Sequence, residues 1–466
     1  MNLNKKCFVM DLNRCTGCGA CVIACTIENQ NKQAVNWRQV YTFNESHHPD
    51  LPFFNFSMAC NHCAIPACKE NCPSLAYSVD PKTGAVIIDQ DLCLGCKYCT
   101  WACPYDAPKY NESRGVVEKC DFCISRLNED LAPACVCACP TNALLVGEFD
   151  DEEKSQSLAG FPDTELKPAI RFKGLGLQKE KALQTSYPSE RSLAALFHTS
   201  RKVPPSKISL RSEWSLLVFT SVVYILVSLF TAAMVSGLRV NPYAFLGIGS
   251  FALALSSVHV GKKGRLYRAV FNVKGSWLSR EILFFLLFLG CSGLYLLLSP
   301  DMKILGIVSV IIGFLSLIFI DRIYQVAMHA GSLNFHSAHT FLNGLYVTGF
   351  LTGFLPIFGL SGLLKLSLYS QRKVLFLRKG LPVRPVLSFF RIGLGFIIPL
   401  VLLMVSTGEN PHFFWIILSS IIGGELVDRS EYYGELDIIT PEKQILIDLR
   451  SMLLNNNPQA NGYRNH

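Results

Sequence analysis

The chain changes character near residue 214. Before that point polar and apolar residues alternate in short pieces, and after it long apolar runs dominate. In residues 1–148, pieces such as Ala85-Val86-Ile87-Ile88 and Ala143-Leu144-Leu145-Val146 stand between turn residues, which predicts short strands beside loops. Residues 149–213 open with Asp150-Asp151-Glu152-Glu153, scatter Pro, Gly and Ser, and end in a basic run from Arg201 to Arg211. That composition predicts an extended tail of the first domain followed by a linker. From Trp214, apolar stretches cover about 214–238, 242–261, 281–299, 304–320, 341–370, 386–406 and 411–427. A helix needs about 20 apolar residues to cross the hydrocarbon core, so these stretches predict a bundle of membrane spans.

The stretch 341–370 is too long for one helix. Basic residues help to read it. They crowd before 214, in 262–280 and in 372–384, while the other short loops carry almost none. A tight hairpin between Gly353 and Gly359, around Pro356, puts every basic loop on one face, as the positive-inside rule requires. Eight spans result, with seven as the alternative if the stretch crosses once. Charge adds one exclusion. Residues 1–213 hold 23 basic and 24 acidic side chains, and the apolar half holds 20 and 11. The net charge of +8 therefore belongs to membrane loops and does not indicate nucleic-acid binding. The opening residues Met1 to Met10 lack an apolar core long enough for a secretory signal, and no twin-arginine pair stands there.

Eighteen of the 19 cysteines lie between Cys7 and Cys139. Sixteen of them fall into four motifs. The first is Cys15, Cys18, Cys21 and Cys25; the second is Cys60, Cys63, Cys68 and Cys72, followed by Pro73. The third is Cys93, Cys96, Cys99 and Cys103, followed by Pro104; the fourth is Cys120, Cys123, Cys135 and Cys139, followed by Pro140. Closely spaced thiolates wrap three corners of a cubane, and the fourth, before Pro, turns to the neighbouring cluster. Zinc sites use separated CxxC pairs, and disulfides need an oxidising compartment. The spacing therefore predicts four [4Fe–4S] clusters bound by these sixteen cysteines. In the fourth motif Cys137 competes with Cys135; the spacing to Cys139-Pro140 favours Cys135.

Residues 1 to about 175 resemble the four-cluster iron–sulfur subunit of the dimethyl sulfoxide reductase family. The resemblance is carried by Cys15-Thr16-Gly17-Cys18, Cys60-Asn61-His62-Cys63, Cys93-Leu94-Gly95-Cys96-Lys97-Tyr98-Cys99 and Ala102-Cys103-Pro104-Tyr105-Asp106-Ala107-Pro108. The apolar half resembles that family's quinol-binding anchor, at His259-Val260-Gly261, Trp277-Leu278-Ser279-Arg280-Glu281 and Gly424-Glu425-Leu426. In the family these are usually separate subunits; here they are fused. The resemblance implies menaquinol as electron donor and a separate molybdopterin-containing catalytic subunit as acceptor, in anaerobic respiration. It also implies that motif one shares clusters with motif four, and motif two with motif three.

An ionisable residue in a membrane helix is a functional candidate. His259, near the end of the second stretch, and Glu281, opening the third, are the candidates for taking the quinol's protons. The bland readings are an interfacial histidine and a first-turn acid that complements the helix dipole. Arg391 is expected to snorkel to the basic face, and His329, His336 and His339 to lie solvated in a loop. Paired histidines at depth are missing, which predicts no haem.

The expected fold is an α+β ferredoxin-like domain followed by an all-α polytopic membrane bundle. The expected boundaries are 1–175 for the iron–sulfur domain, 176–213 for the linker, 214–430 for the anchor and 431–466 for a cytoplasmic tail. The expected location is a bacterial-type inner (plasma) membrane, with the clusters on the cytoplasmic side. Two rival readings stand beside this one. The same module can run in reverse, from a formate-, hydrogen- or sulfur-oxidising partner to the quinone pool. A redox-linked ion-translocating module would need several buried acids, and the sequence offers only Glu281 and Glu425, near span ends.

Overall fold

The computed structural model describes residues 5–30, 35–149, 158–174, 207–298, 302–325, 336–378, 383–405, 411–436 and 438–455. The expected linker, up to residue 206, lies outside the described residues. The chain divides into two compact units. One comprises residues 1–205 with 439–466, and the other residues 206–438.

The first unit is mixed α+β. Strand β1 (Lys5–Asp11) is central in a three-stranded sheet, antiparallel to β8 (Leu144–Phe149) and parallel to β9 (Ile170–Lys173). Three hairpins complete the strands: β2 (Gln39–Phe43) with β3 (Phe54–Met58), β4 (Tyr77–Val79) with β5 (Val86–Ile88), and β6 (Lys109–Asn111) with β7 (Val116–Glu118). Short helices follow the cysteine loops: α1 (Ala20–Glu28), α2 (Ala67–Glu70), α3 (Tyr98–Ala102), α4 (Ile124–Asn128) and α5 (Ala134–Cys137). The core is aromatic, with Phe8, Tyr41, Phe43, Phe54, Phe56, Tyr105, Phe122, Phe161 and Phe172 buried among the cysteines. Helix Pro441–Asn455 also belongs here. Its Ile445 joins the same core, its Leu453 packs on Leu51, and Asp448 accepts the Gly160 N–H at 2.7 Å.

The second unit is all helix. Its helices are α6 (Leu210–Ser236), α7 (Pro242–Ser256), α8 (Trp277–Leu298), α9 (Lys303–Gln325), α10 (Thr340–Leu351), α11 (Leu355–Arg378), α12 (Pro385–Val405, with a π-helical segment at Gly393–Ile397) and α13 (Pro411–Glu435). Ser209 and Ser212 cap α6 reciprocally. Glycines let helices approach: a Cβ on Gly249 would strike Leu289, and one on Gly293 would strike Leu246.

The count of spans differs from expectation. Among the described residues, four helices are long and apolar enough to cross a membrane: α6, α8, α9 and α12. The expectation of eight spans, or seven, does not hold. Helix α7 has 15 residues and α10 has 12, against the roughly 20 a crossing needs. The hairpin in 341–370 does form, with Gly353 in the left-handed conformation and a Cβ on Gly349 running into Phe358 backbone. Its second arm, α11, carries Lys365, Arg372, Lys373 and Arg378, and α13 carries Glu425, Asp428, Arg429, Glu431 and Glu435. Apolar run length overlooks charges that other helices neutralise.

Candidate functional site

Each of the four motifs bends its backbone in the same way. In Cys-x-x-Cys the residue before the second cysteine is left-handed: Gly17, His62, Gly95 and Phe122, at φ of 74°, 42°, 73° and 67°. This turn aims backbone N–H groups at the preceding sulfur. His62, Gly95 and Phe122 donate to Cys60, Cys93 and Cys120 at 3.4, 3.3 and 3.4 Å. The Cys-Pro ends repeat the device, with Ala76 donating to Cys72 at 3.4 Å and Ala143 to Cys139 at 3.2 Å. Hydrogen bonds to sulfur favour the thiolate and tune a cluster held by it.

The sixteen cysteines assemble into four groups, and the groups cross the motifs. One cavity is lined by Cys15, Cys18, Cys21 and Cys139. Another is lined by Cys60, Cys63, Cys68 and Cys103. Cys123 and Cys135 act electrostatically on Cys25, and Cys25, Cys60 and Cys135 act on Cys120, where α1 packs on α5. Cys96 and Cys99 are coupled to Cys72 and Cys93 around the core of the β4–β5 hairpin. Motif one therefore exchanges its fourth cysteine with motif four, and motif two with motif three. Cys137 stays exposed beside Arg126, outside these groups.

Burial raises the proton affinity of several of these thiols. It pushes Cys25 and Cys96 up to about 12 and Cys123 up to about 11. Cys139 moves the other way: burial is the largest influence, but the Leu144 N–H, the Thr141 hydroxyl and the N–H groups of Ala143 and Thr141 together outweigh it and hold the thiol below its ordinary value. Four thiols in one pocket suit a cationic group that replaces their protons. Among the described residues no three His, Cys, Asp or Glu side chains converge on a single ion. A tetrahedral zinc site would bring its sulfurs within about 4 Å of one another.

Three basic side chains are buried among the sulfurs. Arg38 is 1% and Lys119 2% exposed. His62 accepts the Val86 N–H through Nδ1 at 3.0 Å and sets Nε2 3.8 Å from the Cys120 sulfur. Burial, then Lys119 and Arg38, push His62 well below its ordinary value, so it is neutral.

In the helical unit, Glu281 is the fifth residue of α8, past its first turn, and is 5% exposed. A solvated first-turn acid is therefore not what the structure shows. Its electrostatic partners are Arg429 and Asp321. Asp321 accepts the N–H groups of Thr340 and Phe341 at 2.7 and 3.0 Å and faces Arg429 at 3.9 Å. Arg429 donates to the Ala338 carbonyl at 2.9 Å and lies over Tyr324, Tyr432 and Tyr433. His259 stands in the turn after α7, partly exposed.

Beside this group runs an ionic network that the sequence reading missed. Lys365 pairs with Glu425 at 2.8 Å, and Arg391 pairs with Glu425 at 3.1 Å and Asp428 at 3.2 Å. Arg372 pairs with Asp428 at 3.1 Å and hydrogen-bonds His336. Arg391, expected to snorkel, is 0% exposed, because two carboxylates of α13 receive it inside the bundle. His336 and His339, expected to be solvated, are buried; His329 lies outside the described residues. A signal existed. Glu425, Asp428 and Glu431 recur every third residue, and Lys365 and Arg372 stand seven apart, each set marking one helix face.

The comparisons with known proteins agree with this division. The family described as 4Fe-4S dicluster domain matches residues 52–149, and the family described as DMSO reductase anchor subunit (DmsC) matches residues 212–379. One chain of the anaerobic dimethyl sulfoxide reductase of Escherichia coli (strain K12) is 40% identical over 155 residues, covering 32% of the present sequence and 75% of that protein. The chain thus belongs to the dimethyl sulfoxide reductase family of iron–sulfur proteins. Within that family it joins the iron–sulfur electron-transfer domain to a DmsC-like membrane anchor. It is an electron-transfer and anchor subunit of a larger oxidoreductase. Two other relatives are a subunit of the sulfite dehydrogenase of Allochromatium vinosum and a subunit of the tetrathionate reductase of Salmonella typhimurium. The first is 35% identical over 193 residues (37% of the present sequence, 76% of that protein), and the second 37% identical over 150 residues (32% and 60%).

Proposed function

We propose that this subunit oxidises menaquinol in the membrane and passes the electrons, one at a time, to a separate molybdopterin-containing catalytic subunit of the dimethyl sulfoxide reductase type. The observation that carries the reading is the assembly of sixteen cysteines into four crossed groups, in a chain whose other half is a membrane anchor. The four groups would hold four [4Fe–4S] clusters, with Cys15, Cys18, Cys21 and Cys139; Cys25, Cys120, Cys123 and Cys135; Cys60, Cys63, Cys68 and Cys103; and Cys72, Cys93, Cys96 and Cys99 as ligands. Bound there, the clusters supply one-electron carriers.

At the anchor the chain's task is proton transfer. His259 accepts a proton from a quinol hydroxyl as its electrons leave, since an imidazole titrates near operating pH. Glu281 takes the second proton, with Arg429 holding the carboxylate's charge and Asp321 anchoring Arg429. Electron paramagnetic resonance on membranes tests this. Addition of a menaquinol analogue is expected to raise reduced-cluster signals in the wild type, and His259→Ala and Glu281→Gln to slow their appearance at least tenfold. Full-rate reduction in both variants would place quinol oxidation elsewhere.

A second reading is favoured by the likeness to the sulfite dehydrogenase subunit. There a substrate-oxidising partner would feed electrons to quinone. Clusters that stay oxidised with menaquinol, and reduce only with a stronger reductant, would decide for it.

A further inference from the structure

Arg38 and Lys119 are buried cations with no carboxylate at salt-bridge distance among the described residues. The charged groups that act most strongly on both are cysteines. Arg38, just before β2, gives one N–H to Ser57 Oγ at 3.1 Å, and that hydroxyl lies 3.2 Å from the Cys21 sulfur. Its guanidinium stands 4.5 Å over the Phe8 ring, and its Nε and Nη2 have no hydrogen-bond partner among the described residues. Lys119, at the end of β7, donates to the carbonyls of Val86 and Cys120 and lines the cavity of Cys60, Cys63, Cys68 and Cys103. An isolated buried charge is too costly to keep without a counter-charge. Among the described residues, the negative charge within reach is what the cysteines carry.

We propose that Arg38 and Lys119 are the internal counter-ions of the cluster chain and raise the reduction potentials of three of its four members. The inference rests on the reading that the four cysteine groups hold iron–sulfur clusters. The two cations are distributed unevenly. Arg38 acts on the group of Cys21 and on the group of Cys25, Cys120 and Cys135. Lys119 acts on the group of Cys60 and Cys68 and on Cys120. The Cys25–Cys120 group therefore feels both. On Cys96 and Cys99 burial weighs most, and the cysteines that act on them are those of their own group, with Tyr77 hydrogen-bonded to Cys99. One-electron reduction adds a unit of negative charge to the sulfur cage, and a desolvated cation beside it favours the reduced form. Both residues thus work as positioning charges along the route, holding the electron on the groups they flank.

The test is a redox titration followed by electron paramagnetic resonance on the full-length protein in membranes, with iron and acid-labile sulfide measured in parallel. In Arg38→Gln and in Lys119→Met, two of the four reduction steps should fall at least tenfold in equilibrium constant, which is about 59 mV for one electron. One step should move in both variants, and one in neither. The charge-keeping Arg38→Lys and Lys119→Arg should leave all four in place. Unmoved potentials in the neutral variants, or four steps moving alike, would overturn the proposal. If a neutral variant loses iron, its charge-keeping partner decides: retained iron with unshifted steps supports the counter-ion role, and lost iron there too shows that shape was the requirement. A wild type without cluster signals would sink the cluster reading itself, a result distinct from failure of this inference.

Discussion

Removal of Arg391 tests the buried network most directly. Its guanidinium reaches Glu425 at 3.1 Å and Asp428 at 3.2 Å, and all three side chains are 0% exposed. Breaking a buried ion pair from one side costs about 3–5 kcal/mol, because the remaining charge stays desolvated. Here each carboxylate keeps a second partner, Lys365 at 2.8 Å for Glu425 and Arg372 at 3.1 Å for Asp428. Arg391→Met should therefore fall at the lower end, about 3 kcal/mol, or roughly a hundredfold in the unfolding equilibrium. Glu425→Gln should cost about as much, since it deprives both Lys365 and Arg391. The double variant should fall short of the sum by about 1–2 kcal/mol, as residues sharing one network do. Denaturant unfolding in detergent, followed by tryptophan fluorescence, measures all three. A change under about 0.5 kcal/mol for Arg391→Met, or strict additivity in the pair, would refute the reasoning.

Gly424→Ala should destabilise the bundle by about 1–3 kcal/mol, because the new Cβ runs into Gly395 backbone, which cannot swing aside as a side chain would; an unchanged melting temperature would contradict this. Asp448→Ala should cost about 1–3 kcal/mol by leaving the Gly160 N–H unanswered, and hydrogen exchange at Gly160 should rise accordingly. Gly95→Val forces a β-branched residue to φ 73° and should lower the iron content by about one cluster, measured by iron and sulfide analysis. Loading iron into stripped protein should improve as pH rises from about 6.5 to about 8.5, since thiols raised by burial must give up protons on binding; loading indifferent to pH would count against the buried-thiol account.

Much of the iron–sulfur unit was legible because its chemistry is local. A CxxC loop brings two sulfurs to one site within four residues, and spacing alone marks it. The exchange of Cys25 and Cys139 between motifs came from the family resemblance, since nothing near either residue reveals its distant partner. The helical unit was legible as apolar but misread in its count. Lys365 and Glu425 are 60 residues apart and Arg391 and Glu425 are 34 apart, so their neutralisation is invisible to a running hydropathy average. Glu281 was a candidate from the sequence; its association with Asp321 and Arg429 depends on helices joined only in three dimensions.

The membership of Pro441–Asn455 in the first unit imposes an order on biosynthesis. The ribosome finishes β9 at Lys173, then makes every helix of the bundle, and only afterwards supplies the residues that cover Gly160 and Leu51. At about 5–20 residues per second, the roughly 270 intervening residues take tens of seconds. Throughout that interval the cysteine-bearing core is complete in sequence yet still open on one side. Its closure waits for residues translated after the bundle, so synthesis of the anchor precedes sealing of the domain that it serves.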